Sequence, residues 1–265
     1  MSARAWLLVG AVCLLTACAG SGTRSNKLAP EQIRRSSELQ VQMAQEYLKR
    51  GNLEIARDKL LRALELDPNS GQAHTVSGVL NETIGELGQA EFHYKRAVDL
   101  RSKDGDMSNN FASFLCRQGR YPEAEVMFKR AFADPYYKTP EVALSNAGMC
   151  AKSAGHLKQA EAYLREALQR KPDYGDALLP MAGVLFANGD HMNARAFMQR
   201  FDAANPNNPE ALLLGMQIEL ALGDTRSAAD YRRRLTAASR VRVRRSRWSS
   251  VSDAGARHER TRDSI

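Results

Sequence analysis

Small and apolar residues recur along this chain with a fixed period. Glycines stand at Gly51, Gly85, Gly119, Gly155, Gly189 and Gly223, separated by 34, 34, 36, 34 and 34 residues. Five positions after each comes an alanine: Ala56, Ala90, Ala124, Ala160, Ala194 and Ala228. Four further on are Leu60, Tyr94, Phe128, Leu164, Met198 and, breaking the column, Arg232. Three beyond those lie Ala63, Ala97, Ala131, Ala167, Phe201 and Leu235. The i, i+4, i+7 spacing puts these columns on one buried face of a helix. Each glycine falls where a preceding helical run must stop, a place that calls for positive φ or close backbone approach. Every unit therefore predicts two helices joined by a turn at its glycine.

A period of 34 with these columns matches the tetratricopeptide repeat (TPR), a helix–turn–helix unit that buries its apolar face only by stacking on neighbours. The expected fold is all-α: a right-handed superhelical solenoid of about six TPR units over residues 31–238. The units span about 37–70, 71–104, 105–140, 141–174, 175–208 and 209–238. Pro68, Pro172 and Pro206 end the first, fourth and fifth units, since proline cannot continue the second helix. Pro135 and Pro140 close the third. The longer interval reflects two extra residues between Ala133 and Pro140, a loop carrying Tyr136 and Tyr137. Those aromatics either pack over helix ends or meet a partner. The repeating columns are core, and they specify fold without specifying function.

The two ends are different material. Residues 1–17 read as a signal peptide: Arg4 supplies a positive start, and Trp6 to Leu15 form an apolar run. That run is about half of the ~20 residues a membrane-spanning helix needs. Leu15-Thr16-Ala17-Cys18 resembles the bacterial lipobox, in which the cysteine becomes the lipidated first residue of the mature protein. Residues 18–30 then form the lipidated N-terminus and a polar linker beginning Ala19-Gly20-Ser21-Gly22. Several acyl chains on Cys18 would anchor the protein firmly, each buried CH₂ contributing about 0.8 kcal/mol. Residues 239–265 hold eight arginines against three acids and lack helical periodicity, so they read as a disordered tail. The formal net charge of +8 resides largely there. The repeat body is nearly neutral and offers no basic nucleic-acid face.

Catalytic chemistry has little foothold. The five histidines (His74, His93, His156, His191, His258) have no metal-ligand spacing, and there is no phosphate loop, G-x-S-x-G or H-E-x-x-H. The expectation is a non-enzyme with no metal, no small-molecule substrate and no cofactor beyond the covalent lipid on Cys18. Cys116 sits three residues before its glycine and Cys150 five before its own, on first helices of neighbouring units. The two-residue offset is roughly 200° around and 3 Å along a helix, and adjacent parallel helices meet with opposite faces. The thiols can therefore face each other as a disulfide, in an oxidising compartment. Two free core cysteines are the alternative.

With these features in hand, the chain resembles the PilF/PilW family of type IV pilus lipoproteins over residues 1 to about 238. The resemblance is carried by N-N-F-A-S-F-L-C-R-Q-G-R-Y-P-E-A-E at Asn109 to Glu125, D-P-Y-Y-K-T-P at Asp134 to Pro140, and N-A-G-M-C at Asn146 to Cys150. It implies a pilotin, a lipid-anchored protein on the periplasmic face of the outer membrane. Such a protein binds the pilus secretin and promotes its outer-membrane localisation and multimerisation, supporting pilus assembly and twitching motility. The family's cysteine pair falls on Cys116 and Cys150. Stacked first helices would line a concave partner-binding groove formed by Val41, Gln45, Leu48, Thr75, Val79, Glu82, Asn109, Ser113, Ser145, Met149 and Lys152. An adaptor lipoprotein serving peptidoglycan enzymes or β-barrel assembly is the alternative on the same architecture.

Overall fold

The computed structural model describes residues 29–101 and 103–238. The signal peptide, the lipobox with Cys18, most of the linker and the tail from residue 239 lie outside the described residues. Twelve helices follow one another in six pairs: α1 (Pro30–Lys49) with α2 (Leu53–Leu66), α3 (Gly71–Thr83) with α4 (Leu87–Leu100), α5 (Gly105–Arg117) with α6 (Tyr121–Phe132), α7 (Pro140–Ser153) with α8 (Leu157–Arg170), α9 (Gly175–Ala187) with α10 (His191–Ala204), and α11 (Pro209–Ala221) with α12 (225–238). No strand occurs among the described residues. This is a TPR solenoid, as the period predicts.

The turn glycines decide between the two reasons the sequence leaves open. All six have φ between +74° and +84°, and a Cβ added at any of them meets nothing within 4 Å. Left-handed backbone, and not close approach, is what each position needs. Around Gly119 the geometry is a Schellman closure: Gly119 N–H donates to the Cys116 carbonyl at 2.9 Å and Arg120 N–H to the Leu115 carbonyl at 3.0 Å. Orphaned carbonyls at the end of α5 are thereby satisfied, and α6 is turned back against α5.

Close approach occurs instead in mid-helix. A Cβ on Gly148 would stand 2.6 Å from Leu164 Cγ and 3.2 Å from the Ala160 carbonyl oxygen. Gly78 meets the Tyr94 ring in the same way. Ala44, Ala112 and Ala182 fill the equivalent place in other units, each fully buried. The sixth unit explains its own irregularity: Gly215 packs on the Tyr231 ring, while Arg232 is exposed. Both partners shift by one position together, so the small-on-large crossing survives where the column breaks.

The backbones of successive first helices (α1, α3, α5, α7, α9, α11) approach closely in turn, whereas those of successive second helices from α2 to α10 do not; α6 and α8, for example, meet through the side chains of Phe132 with Tyr163 and Glu125 with Gln159. The second helices therefore lie at larger radius, and the first helices form the inner wall. Pro140 corrects one boundary: it is the first residue of α7, where its missing N–H costs nothing, and does not close the third unit. The insertion packs as well as connects. Asp134 accepts hydrogen bonds from the N–H groups of Gly105 (3.0 Å) and Tyr136 (2.9 Å), and the Tyr137 ring covers Gly105. Tyr137 is buried, as the packing reading expects, while Tyr136 is 88% exposed.

Substituting Gly148 by alanine should cost about 1–3 kcal/mol through overpacking against Leu164 and backbone that cannot give. Gly88→Ala, in open space on α4, should gain about 0.5–1 kcal/mol. Urea denaturation midpoints moving in opposite directions would check the pair.

Candidate functional site: the concave groove

Four of the expected groove positions, Val41, Thr75, Asn109 and Ser145, stand ten residues before their turn glycines. The structure removes three of them from the surface. Val41 is fully buried with Ala73 and Val76 of the next first helix. Buried Asn109 accepts a hydrogen bond from Asn146 Nδ2 of α7 at 3.1 Å. Ser145, 1% exposed, donates to the Asp176 carbonyl of α9. The correction has one physical cause: this column faces the next first helix and not the concavity. Ser145 has a further reason. Pro180 lies inside α9 and has no N–H for the carbonyl four residues back, so Asp176 would be left unpaired without that hydroxyl. Thr75 is half-buried and donates to the Gly71 carbonyl of its own helix.

The remaining positions divide between the two halves of the groove. Gln45, Leu48 and Ser113 are half-buried, Leu48 packing on the first unit's core. Glu82 is occupied: Arg117 of α5 holds both its oxygens, at 2.5 and 2.8 Å, and the Tyr94 hydroxyl donates to it at 3.0 Å. Burial, with Glu82 beside it, pushes the Tyr94 hydroxyl far up, so it stays a proton donor. The Glu82 hydrogen bond chiefly raises Arg117. Val79, Met149 and Lys152 are exposed. The bidentate pair spans α3 and α5, so that stretch of the wall is already engaged.

An open cavity of about 640 Å³ lies further along, on α7, α9 and α11. Asn146, Met149 and Lys152 line one wall, Asp176, Leu179, Pro180, Gly183 and Phe186 the middle, and Glu210, Leu213, Leu214 and Gln217 the far wall. The sequence reading stopped at α7 and missed the last two first helices, α9 and α11. A signal existed: ALLPMAGVLFA is apolar on every side and ALLLGMQIELA nearly so, Gln217 and Glu219 excepted, where a surface helix should keep one polar face. A first helix buries its other sides inside the solenoid, so an apolar inner side is left facing the groove.

The structure joins Cys116 of α5 to Cys150 of α7, with Sγ atoms 2.22 Å and Cα atoms 5.8 Å apart. Cys150 is buried and Cys116 half-buried. The bridge links two first helices at the middle of the inner wall, between the engaged and the open halves. No helix among the described residues is long and apolar enough to cross a membrane.

Comparison with known proteins agrees with this architecture. Tetratricopeptide-repeat family models match residues 41–105, 106–134 and 151–218. The type IV pilus assembly protein PilF of Pseudomonas aeruginosa is 29% identical over 231 residues, covering 87% of this chain and 92% of PilF. The crystal structure of PilW, a widely conserved type IV pilus biogenesis factor, superposes with a TM-score of 0.71 at 28% identity, covering 76% of this chain and 92% of PilW. The structure of P. aeruginosa PilF gives 0.69 at 29% identity, over 75% and 90%. The chain is a PilF/PilW-like tetratricopeptide-repeat protein. The likeness covers 75–87% of this PilF/PilW-like chain and at least 90% of each of these relatives.

Histidines that look scattered in the sequence meet in the second unit. His74 Nδ1 on α3 lies 2.9 Å from His93 Nδ1 on α4, and His74 Nε2 lies 3.2 Å from the Pro68 carbonyl. The carbonyl requires the His74 proton on Nε2, so His74 Nδ1 accepts and His93 Nδ1–H donates. The contact admits a charge on at most one of the two rings. Burial lowers His93 to about 4, with His74 adding to the effect. Burial also lowers His74, and Arg96 adds to this while the Pro68 carbonyl and Asp67 oppose it. Among the described residues no three metal-binding side chains gather, here or elsewhere.

Two outcomes follow from these contacts. Replacing Cys116 and Cys150 by serine should lower the unfolding free energy by about 3–4 kcal/mol, from loop-closure entropy over a separation of 34 residues. Denaturant melts with and without reductant would measure it, and identical melts would mean that the thiols are free. The unfolded chain protonates His93 near its ordinary 6.5, whereas the native state resists until about 4. Stability should be intact above about pH 6.5 and fall as pH drops from there to 4. His93→Gln should flatten this slope of Tm against pH.

Proposed function

We propose that this protein is a type IV pilus biogenesis lipoprotein acting as a pilotin. It is anchored by lipid on Cys18 at the periplasmic face of the outer membrane and binds the pilus secretin. In this reading it carries secretin subunits to the outer membrane and promotes their multimerisation, and so supports pilus assembly and twitching motility. It works as a non-catalytic scaffold. The observation that carries the reading is the unpartnered apolar groove on α7, α9 and α11, in a chain similar to PilF over 87% of its length. Such a groove takes the apolar side chains of an inserted segment and excludes water from them. The anchor supplies the rest of the mechanism. Tethering the solenoid to a membrane surface confines a bound subunit to that surface and raises its local concentration there.

Deleting the gene should abolish SDS-resistant secretin multimers and twitching, and Cys18→Ala should move the protein to the soluble periplasmic fraction with the same loss of multimers. Normal multimers in the deletion strain would refute the pilotin role. A Cys18→Ala protein that still pellets with outer membrane would refute the lipid anchor.

A further inference from the structure

Lys152 is the one cation among the described residues lining the open groove. Its ammonium makes no hydrogen bond or ion pair among them. It stands in the last turn of α7, where a lysine ordinarily curls back over its own helix's terminal carbonyls. This one does not. Its ammonium reaches across to α9 and lies over the bare backbone of Gly183, where an added Cβ would be only 3.0 Å from Nζ. Met149, Leu179 and Leu214 make the surroundings apolar. The groove's acids, Asp176 and Glu210, sit on the opposite edge in the first turns of α9 and α11, where they complement those helix starts. Among the charged groups that line the groove in the described residues, only the ammonium over the floor has no structural employment.

We propose that Lys152 is the polar anchor of this groove, and that its occupant is an apolar protein segment with an aspartate or glutamate side chain placed to meet Nζ. A hydrophobic segment alone would seat on Leu179, Leu213 and Leu214 but would bury the ammonium unpaired, which is costly. A carboxylate at that point forms a charge-assisted hydrogen bond in partly desolvated surroundings, where such bonds are strong and fix register. A chain-terminal carboxylate is a poorer match, because no second cation among the described residues lines the groove to share it. The acidic edge then favours a basic residue on the far flank of the same segment, which sets its direction across the helices.

The inference rests on the pilotin reading, and one experiment separates the two. Full-length protein purified in detergent would be titrated with detergent-solubilised secretin, comparing wild type, Lys152→Glu and Lys95→Glu. Lys95 is exposed on α4, away from the groove. Circular dichroism melts would confirm that both variants keep the fold. The expected result is at least a tenfold weaker affinity for Lys152→Glu with a shallower salt dependence, and no change for Lys95→Glu. Wild-type binding with Lys152→Glu within twofold of it overturns the anchor and leaves the pilotin reading standing. Equal weakening by both variants also overturns it, as a general charge effect. Absence of any wild-type binding overturns both. If the occupant is a second copy of this chain, sedimentation would show a wild-type dimer that Lys152→Glu dissociates, and the proposed segment would be wrong.

Discussion

Everything in this molecule depends on how closely two helices can cross within one unit. Where Gly148 meets Leu164, Gly78 meets Tyr94 and Gly215 meets Tyr231, there is no room for a single added carbon. The first helix contributes the absence of a side chain and the second contributes bulk. Dispersion contacts over that surface, and the water they exclude, hold the pair together. The left-handed glycine between the helices only allows the reversal. The crossing makes it tight, and the same geometry repeated six times makes a solenoid. A pair buries too little alone, so each second helix also packs on the next first helix, and stability accumulates unit by unit.

Curvature follows from the same contacts. The backbones of first helices approach their successors more closely than those of second helices do, which leaves a concave inner wall. That wall is not uniform. Toward the N-terminal end the Glu82–Arg117–Tyr94 cluster engages it with its own ionic contacts. Toward the C-terminal end α9 and α11 turn apolar sides to the open groove. The result is a scaffold in which one half of the inner wall is internally satisfied and the other half is not.

The repeating columns were legible because period-34 packing constrains the residue type at each of them. Helix count and turn positions followed from spacing, which left Cys116 and Cys150 either bridged or free. The groove was only partly legible. Helical geometry puts the column ten residues before the glycine on the inner half of each first helix, but it does not say how near the next helix lies. Val41, Asn109 and Ser145 were lost to that neighbour. The Ser145–Pro180 relation joins residues of different units through a missing N–H, and no periodicity announces it. His74 and His93 meet because α3 and α4 fold back on each other at Gly85, so 19 residues of separation become 2.9 Å. Where the sixth unit departs from the column at Arg232, a paired one-residue shift keeps the packing, and a column-by-column reading registers only the break.

The Cys116–Cys150 bridge has a mechanical meaning beyond its place in the inner wall. A solenoid pulled from its two ends lengthens by peeling units apart and straightening their chain, so each unit is a store of slack. The bridge closes a loop around α6 and the following insertion, taking 34 residue steps out of the path that carries the load. At about 3.5 Å per extended residue, roughly 120 Å of contour is locked away while the bond holds. Tension applied across the middle of the molecule passes from α5 to α7 through a covalent bond. The flanking units, held only by noncovalent contacts, give way first, and the middle behaves as a rigid coupling between two extensible arms.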